Sequence, residues 1–312
     1  MKYVFLQYLN RSGSTFLANQ LSKNADILVC PEAEVLVNIL AKKSSSPLNS
    51  FDHIKLNTAV TADRKLKYWG LDLAILMDSA ENRLDLFFSI LDQYHSKTKP
   101  QSQVIVFKAV DLINCMDVLH AYGIEKGLDI YFINLIRDPR AIYNSQRNTY
   151  VASKRRFMNR NPLFTVYQWE HLFSRSYDQH FIKRLCIIKY EDLINDQVGE
   201  LNKITEFIGI TGAPSNENIK GDLIGRIPED QLAMHPNIED QPIAEYAVKW
   251  ESELKHSFQY FIQRLTAADL ARMEYNVKLV RNIIRIQFFL LWLGFKVDLV
   301  MKGIYKRFRG KS

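Results

Sequence analysis

Arg11-Ser12-Gly13-Ser14-Thr15 has the residue types of an anion cradle. Ser12, Gly13, Ser14 and Thr15 are small enough to let an oxyanion approach the backbone, and Arg11 adds a fixed cation. The apolar positions that follow, beginning with Phe16 and Leu17, predict a helix whose unpaired N–H groups and positive dipole end face the same point. A nucleoside-triphosphate loop needs Gly-x-x-x-x-Gly-Lys-Ser/Thr, whereas this segment has one glycine and no lysine. The chemistry indicated is recognition of a phosphate-like group without the triphosphate signature.

Three further stretches could serve such a cradle. Arg137 ends the apolar run 130–136, and Asp138 and Pro139 read as the N-cap and first position of a helix carrying Ser145 about two turns on. A guanidinium and a hydroxyl then stand near the edge where open α/β sheets bind ligands, although strand, Asp-Pro and helix is also ordinary punctuation. Lys108 closes the apolar run 104–108 and is either a snorkelling surface lysine or a cation projected above the sheet. Glu32 follows Cys30-Pro31 at the expected start of a helix through Val35, Leu36, Ile39 and Leu40. Its carboxylate either faces a crevice at the strand ends or complements the helix dipole.

The elements that must position these groups are legible as periodicities. A strand from Tyr3 runs into the loop and then into a helix over 14–22; a short buried strand follows over 27–29. Residues 81–95 predict an amphipathic helix with Leu84, Phe87, Phe88 and Leu91 on one face. Strands follow over 104–108 and 130–136, then a helix through Gln146. Residues 42–51 read as a loop, and the mixed periodicity of 59–76 assigns no element. The Gly-, Pro-, Asn- and Asp-rich stretch 209–249 is long for a plain connection and reads as a gate over a ligand, with Arg226 and His235 as solvated loop residues.

At 47% hydrophobic content over 312 residues the chain is too apolar for disorder and long enough for one large core or two unequal ones. Cys30, Cys115 and Cys186 lie far apart, without the spacing of a zinc site or a disulfide framework, and are expected to be buried thiols. The strand beginning at Tyr3 leaves no room for a signal peptide and predicts a cytoplasmic protein. No basic face with interleaved aromatics points to nucleic acid.

Arg11 to Leu17 resembles the 5′-phosphosulfate loop of sulfotransferases that use 3′-phosphoadenosine 5′-phosphosulfate (PAPS), in the arginine form of carbohydrate and tyrosylprotein members. The stretch Leu135-Ile136-Arg137-Asp138-Pro139-Arg140-Ala141-Ile142-Tyr143-Asn144-Ser145 is similar to their 3′-phosphate motif, whose arginine and serine fall on Arg137 and Ser145. Ile188-Lys189-Tyr190-Glu191-Asp192-Leu193 and Lys249-Trp250-x-x-x-Leu254 resemble later family positions, and the likeness covers roughly 3–265. It is that of a bacterial-type member. The resemblance implies a parallel sheet flanked by helices, of P-loop-NTPase type, with PAPS as co-substrate and no metal.

It also implies roles. Arg11, Ser12, Gly13, Ser14, Thr15 and Phe16 would hold the phosphosulfate, and Arg137 and Ser145 the 3′-phosphate. Glu32, in a stretch similar to the family's Cys-Gly-Glu-Glu, would be the base, with Glu34 left open by a one-residue insertion upstream. Lys108 would assist at the bridging oxygen, and His53 ranks third as a base, by analogy with the histidine of cytosolic members. Tyr190 and Glu191 read as structural, and Trp250 as a packing residue. The acceptor implied is a carbohydrate or lipid-linked hydroxyl; the alternative is a non-catalytic nucleotide-binding adaptor that docks to membranes.

Beyond a sulfotransferase domain over 1–265, residues 266–312 read as a helical, basic extension. From Arg281 onward eight basic residues stand against one acid, Asp298, so this tail holds a net charge equal to the whole protein's +7. The apolar run 283–295 is interrupted by Arg285 and too short to span a bilayer. Val297, Val300, Met301, Ile304, Tyr305 and Phe308 make one helical stripe beside Lys296, Lys302, Lys306, Arg307 and Arg309. The pattern predicts either an interfacial helix bound through 296–311 to anionic lipid or a terminal helix packed on the domain; the charge favours the first.

Overall fold

β1 (Lys2–Tyr8) is buried from Tyr3 onward, as the apolar run 3–6 requires of a central parallel strand. In the computed structural model, which describes residues 1–40, 56, 58–152, 155–210, 223, 244–277 and 285–309, this strand leads into α1 (Ser14–Ser22). Next come β2 (Ile27–Cys30), α2 (Glu34–Leu40), α3 (Arg83–Thr98) and β3 (Val104–Lys108). α4 (Met116–Lys126) and β4 (Asp129–Ile136) precede α5 (Pro139–Asn148) and α6 (Pro162–Ser176). β5 (Leu185–Lys189) and α7 (Gln197–Phe207) follow, and α8 (His256–Arg272) and α9 (Arg285–Arg309) close the chain.

The large sheet has the order β2-β3-β1-β4-β5, and β1 pairs parallel with both β3 and β4. Strands therefore lie on both sides of β1, the arrangement that opens a crevice at the carboxyl ends of an α/β sheet. The parallel α/β expectation is met. Because successive strand residues point to opposite faces, Tyr3 and Phe5 join one hydrophobic cluster with Phe87, Phe107 and Phe132, while Val4, Leu6 and Tyr8 join the other with Leu17 and Ile133.

The contacts divide the chain into two compact units. The first comprises Met1–Tyr8, Gly13–Leu135 and Asp178–Pro242 and contains the sheet; the second comprises Leu9–Ser12, Ile136–Tyr177 and Ile243–Ser312. The second has its own core, in which Ala141 and Tyr143 of α5, Leu163 and Val166 of α6 and Phe261 and Ile262 of α8 surround Trp250 and Leu254. The 265/266 boundary read from the sequence falls inside α8, beside a non-helical turn at Thr266.

Several local expectations shift. The helix after Pro31 begins at Glu34, so Glu32 lies in the segment that leads into it and Glu34 is the first-turn acid. Residues 59–76, left unassigned, contain the short helix Arg64–Lys67, capped by Asp63 accepting from Leu66 N at 2.8 Å, and the start of Leu73–Ser79. Helices of one or two turns repeat the hydrophobic period too few times for pattern reading to find them. α3 begins two residues later than expected, where Asn82 accepts from Leu84 N and Asp85 N, and extends to Thr98. The three cysteines are buried, and none forms a disulfide. The stretch 42–51, His53, Arg226 and His235 lie outside the described residues.

Candidate functional site

In the first unit, the parallel register sets Lys108 beside Leu6, and Tyr8 emerges two residues further along β1 on the same face of the sheet. Lys108 is only 3% exposed. Its Nζ lies 3.4 Å from Glu32 Oε2 and 5.2 Å from the centre of the Tyr8 ring. A buried ammonium is tolerable only with such partners, since desolvation disfavours its charge. The Glu32 side chain retains 20% exposure.

Burial opposes ionisation of Glu32, but Lys108, Lys65 and the Tyr8 hydroxyl together outweigh it and hold the carboxyl below its usual range. Tyr8 moves the other way: burial and the Glu32 charge push its phenol far up, so it stays neutral. Its hydroxyl is buried beside Glu32, outside good hydrogen-bond geometry. Glu34, the other candidate, turns to Lys65, which donates to both carboxylate oxygens at 2.6 Å in an exposed pair.

Gly13 sits at the N-terminus of α1 with φ 90°, a left-handed conformation that suits glycine. Added to this, a methyl group there would collide with the Tyr190 ring. Tyr190 therefore shapes the loop by packing on its glycine, in line with a structural reading of that residue. Gly13, at the N-cap of α1, offers no side-chain acceptor to the helix's first amides, while Ser14 and Thr15 are buried in its first turn. These features fit an anion held by backbone donors.

In the second unit, Arg11 adopts φ 75°, unusual for a side-chain-bearing residue, and is tied on both sides of its Cα. Its Nε donates to Ser145 Oγ at 3.0 Å, and its carbonyl accepts from Arg137 Nη1 at 2.9 Å. Ser12 turns back on Leu9, its N–H and Oγ–H donating to the same carbonyl at 3.1 and 2.7 Å. Gln146 Nε2 adds a bond to Asn10 O at 3.0 Å. The two basic motifs recognised separately in the sequence are thus joined: Arg11, Arg137 and Ser145 form one connected group.

That group is braced from below. Asp138 caps α5 and is ion-paired with Arg140, both nearly fully buried, at 2.7 Å. Arg140 also stacks on Trp250, 4.1 Å from its ring centre, and donates to Gln263. Trp250 is a packing residue, as expected. Trp169 Nε1 donates to the Arg137 carbonyl at 2.8 Å, and Arg137 Nη2 to Tyr246 O at 2.7 Å. Tyr8, Gln146 and Trp169 were not found in the sequence. Only Tyr8 left a signal there, its place at the end of the central strand. Among the described residues no group of three or more His, Cys, Asp or Glu is arranged to hold a metal ion.

A sulfotransferase family model matches residues 4–214. Among solved structures, the chain is similar to the sulfotransferase domain of the Synechococcus PCC 7002 olefin synthase, with TM-score 0.61 and 18% identity over 89% of this chain and 96% of that one. It is also similar to the sulfotransferase domain from the curacin biosynthetic pathway, with TM-score 0.57 and 16% identity over 89% and 99% of the two chains. A sulfotransferase from Alicyclobacillus acidocaldarius matches at TM-score 0.50 and 12% identity, over 88% and 94%. At these identities the structural likeness is one of fold. No curated protein sequence matches the chain.

Proposed function

The chain belongs to the sulfotransferase family, and on that premise we propose that it transfers the sulfuryl group of PAPS to a hydroxyl of a carbohydrate or lipid-linked acceptor at the cytoplasmic face of a membrane. The observation that carries the reading is the pairing of buried Lys108 with Glu32 at 3.4 Å, a cation and a base together at a strand end. PAPS brings an activated sulfonate whose leaving group is a phosphate.

In this reading Arg11, the amides of Gly13, Ser14 and Thr15, the hydroxyls of Ser14 and Thr15, and the backbone of Phe16 hold the phosphosulfate, while Ser12 fixes the loop by giving its N–H and Oγ–H to the Leu9 carbonyl, and Arg137 and Ser145 take the 3′-phosphate. Glu32 accepts the acceptor hydroxyl's proton as that oxygen forms its bond to sulfur. The electron pair of the breaking S–O bond departs on the bridging oxygen, where Lys108 donates a hydrogen bond to the growing negative charge. Products are the sulfated acceptor and 3′-phosphoadenosine 5′-phosphate. Without ligand, Lys108 keeps the Glu32 carboxyl low and weakly basic. A phosphosulfate draws Lys108 to itself, which raises the carboxyl toward the range useful to a base. Protein cations carry the charge stabilisation in this scheme.

Incubation of the protein with radiolabelled PAPS and a panel of glycans, glycolipids and phenols tests the proposal. Label on a glycan or glycolipid supports it, and label on phenols alone would replace the acceptor class. Binding with no transfer would leave a nucleotide-binding adaptor, and absence of binding would remove PAPS from the account.

A further inference from the structure

α9 is apolar on two opposing sides. One side, Phe288, Leu291, Trp292, Phe295 and Leu299, packs on the core of the second unit, with Phe295 and Phe288 against Phe261 at ring-centre distances of 5.2 and 5.3 Å. Asn161 fastens it by donating to Phe295 O at 3.0 Å and to Asp298 Oδ2 at 2.6 Å. The other side carries Phe289, Leu290, Leu293, Val297, Val300 and Met301, which are 43% to 60% exposed. At 3.6 residues per turn these six fall in a sector of about 120°, roughly opposite the packed face. A helix apolar all round is normally covered all round. Tyr167 of α6, also exposed, stands beside it next to Lys296.

Charge decides what covers this face. The tail from Arg281 carries a net charge equal to the protein's whole +7. Its one acid, Asp298, is bound by Lys302 at 2.7 Å as well as by Asn161. A second copy seated on the same face would bring two such tails together, whereas an anionic surface is attracted. Lys296 stands at the border of the stripe with its Nζ 4.8 Å from the Tyr167 ring centre and 5.4 Å from that of Trp292. A lysine head beside amphipathic aromatic rings is the arrangement suited to a headgroup boundary. No described helix is long and apolar enough to cross a membrane, so the contact is with the surface of the bilayer.

We propose that this exposed face of α9 is a docking surface for anionic phospholipid: the helix lies along the interface, its six apolar side chains reach the acyl boundary, and Lys296 at the border of the stripe meets the headgroups. The inference deepens the membrane-proximal reading above by naming the face that docks. It can be tested without turnover, so that its failure and the failure of sulfotransfer are separable.

The test is flotation of the full chain with vesicles of phosphatidylcholine alone and of phosphatidylcholine with phosphatidylserine, at low and high salt, alongside the double variant Leu293→Glu/Val297→Glu. Both positions are exposed, and an unchanged thermal midpoint shows that the variant folds. The expected result is flotation with the anionic vesicles only, weakened by salt and reduced about tenfold or more in the variant. Wild-type protein left in the soluble fraction at low salt overturns the proposal. Flotation unaffected by the two glutamates overturns the assignment of this face. A wild-type dimer that does not float and that the variant dissociates would identify a second copy as the occupant instead.

Discussion

Arg11 Nε donates to Ser145 Oγ at 3.0 Å across 134 residues of sequence, joining the loop after the first strand to the helix after the fourth. The bond makes the two residues a coupled pair. Arg11→Ala and Ser145→Ala should each weaken 3′-phosphoadenosine 5′-phosphate binding by about 1–3 kcal/mol. The double variant should lose measurably less than the sum, because each single change already breaks the shared bond. Arg137→Ala should weaken binding at least as much, since it also releases the Arg11 carbonyl. Calorimetry with all four proteins checks this, and normal affinity in Arg137→Ala would remove the 3′-phosphate assignment.

Glu32→Gln should lower kcat by about 10²–10⁴-fold and leave cofactor affinity nearly intact, as removal of a general base does. Glu34→Gln, which breaks only an exposed pair with Lys65, should stay close to wild type. The reverse ranking in steady-state assays would transfer the role of base to Glu34.

The low-held carboxyl of Glu32 also sets a pH dependence. Its folded-state value lies below 4.5, so its ionised form, with the stability this form confers, is present above 4.5 and lost as pH falls through the folded value. The acid limb of kcat/KM, which reports the free enzyme, should therefore lie below pH 4.5. In Lys108→Met burial is left with less opposition, and the acid limb should move upward. A limb that stays in place would show that Lys108 does not govern Glu32.

Gly13→Ala should destabilise the protein by about 1–3 kcal/mol through its left-handed backbone alone, with a further loss from collision with the Tyr190 ring. Adding Tyr190→Ala removes the collision and leaves the backbone strain, so the alanine at 13 should cost less in that background. Denaturant midpoints of the four proteins test the separation; an equal cost in both backgrounds would mean that the ring does not constrain the loop.

Asp138→Ala strips Arg140 of its carboxylate in a site where the arginine side chain is 1% exposed. An uncompensated buried charge costs about 3–5 kcal/mol, and loss of the N-cap of α5 adds to it. A lower thermal midpoint is expected, together with weaker nucleotide binding, because Arg137 precedes this corner. Unchanged unfolding would show that Arg140 finds another partner.

Local chemistry was determined by the sequence alone. The apolar runs 3–6 and 104–107 marked the strands over 2–8 and 104–108, and Asp138 followed by Pro139 marked the start of α5, because strand burial and helix capping depend on residues a few positions apart. The same locality made the loop at Arg11 to Thr15 and the Arg137-to-Ser145 spacing visible as anion-binding motifs.

Tertiary structure decided which of these groups meet. Glu32 and Glu34 are equivalent in composition and two residues apart, yet one pairs with buried Lys108 and the other with Lys65 at the surface. That choice follows from the parallel register of β3 with β1 and β2 and from where α2 begins. Tyr8 became significant only when the same register set it on the face of Lys108, and Tyr190 only when its ring came against Gly13. The C-terminal helix makes the point most sharply: its sequence contains enough apolar residues for two faces, and periodicity cannot say which is buried. Contact with Phe261 and Asn161, made by residues far away in the chain, turned one face inward and left the other to solvent. Pairings across so many residues depend on crossovers and packing that no short window of sequence encodes.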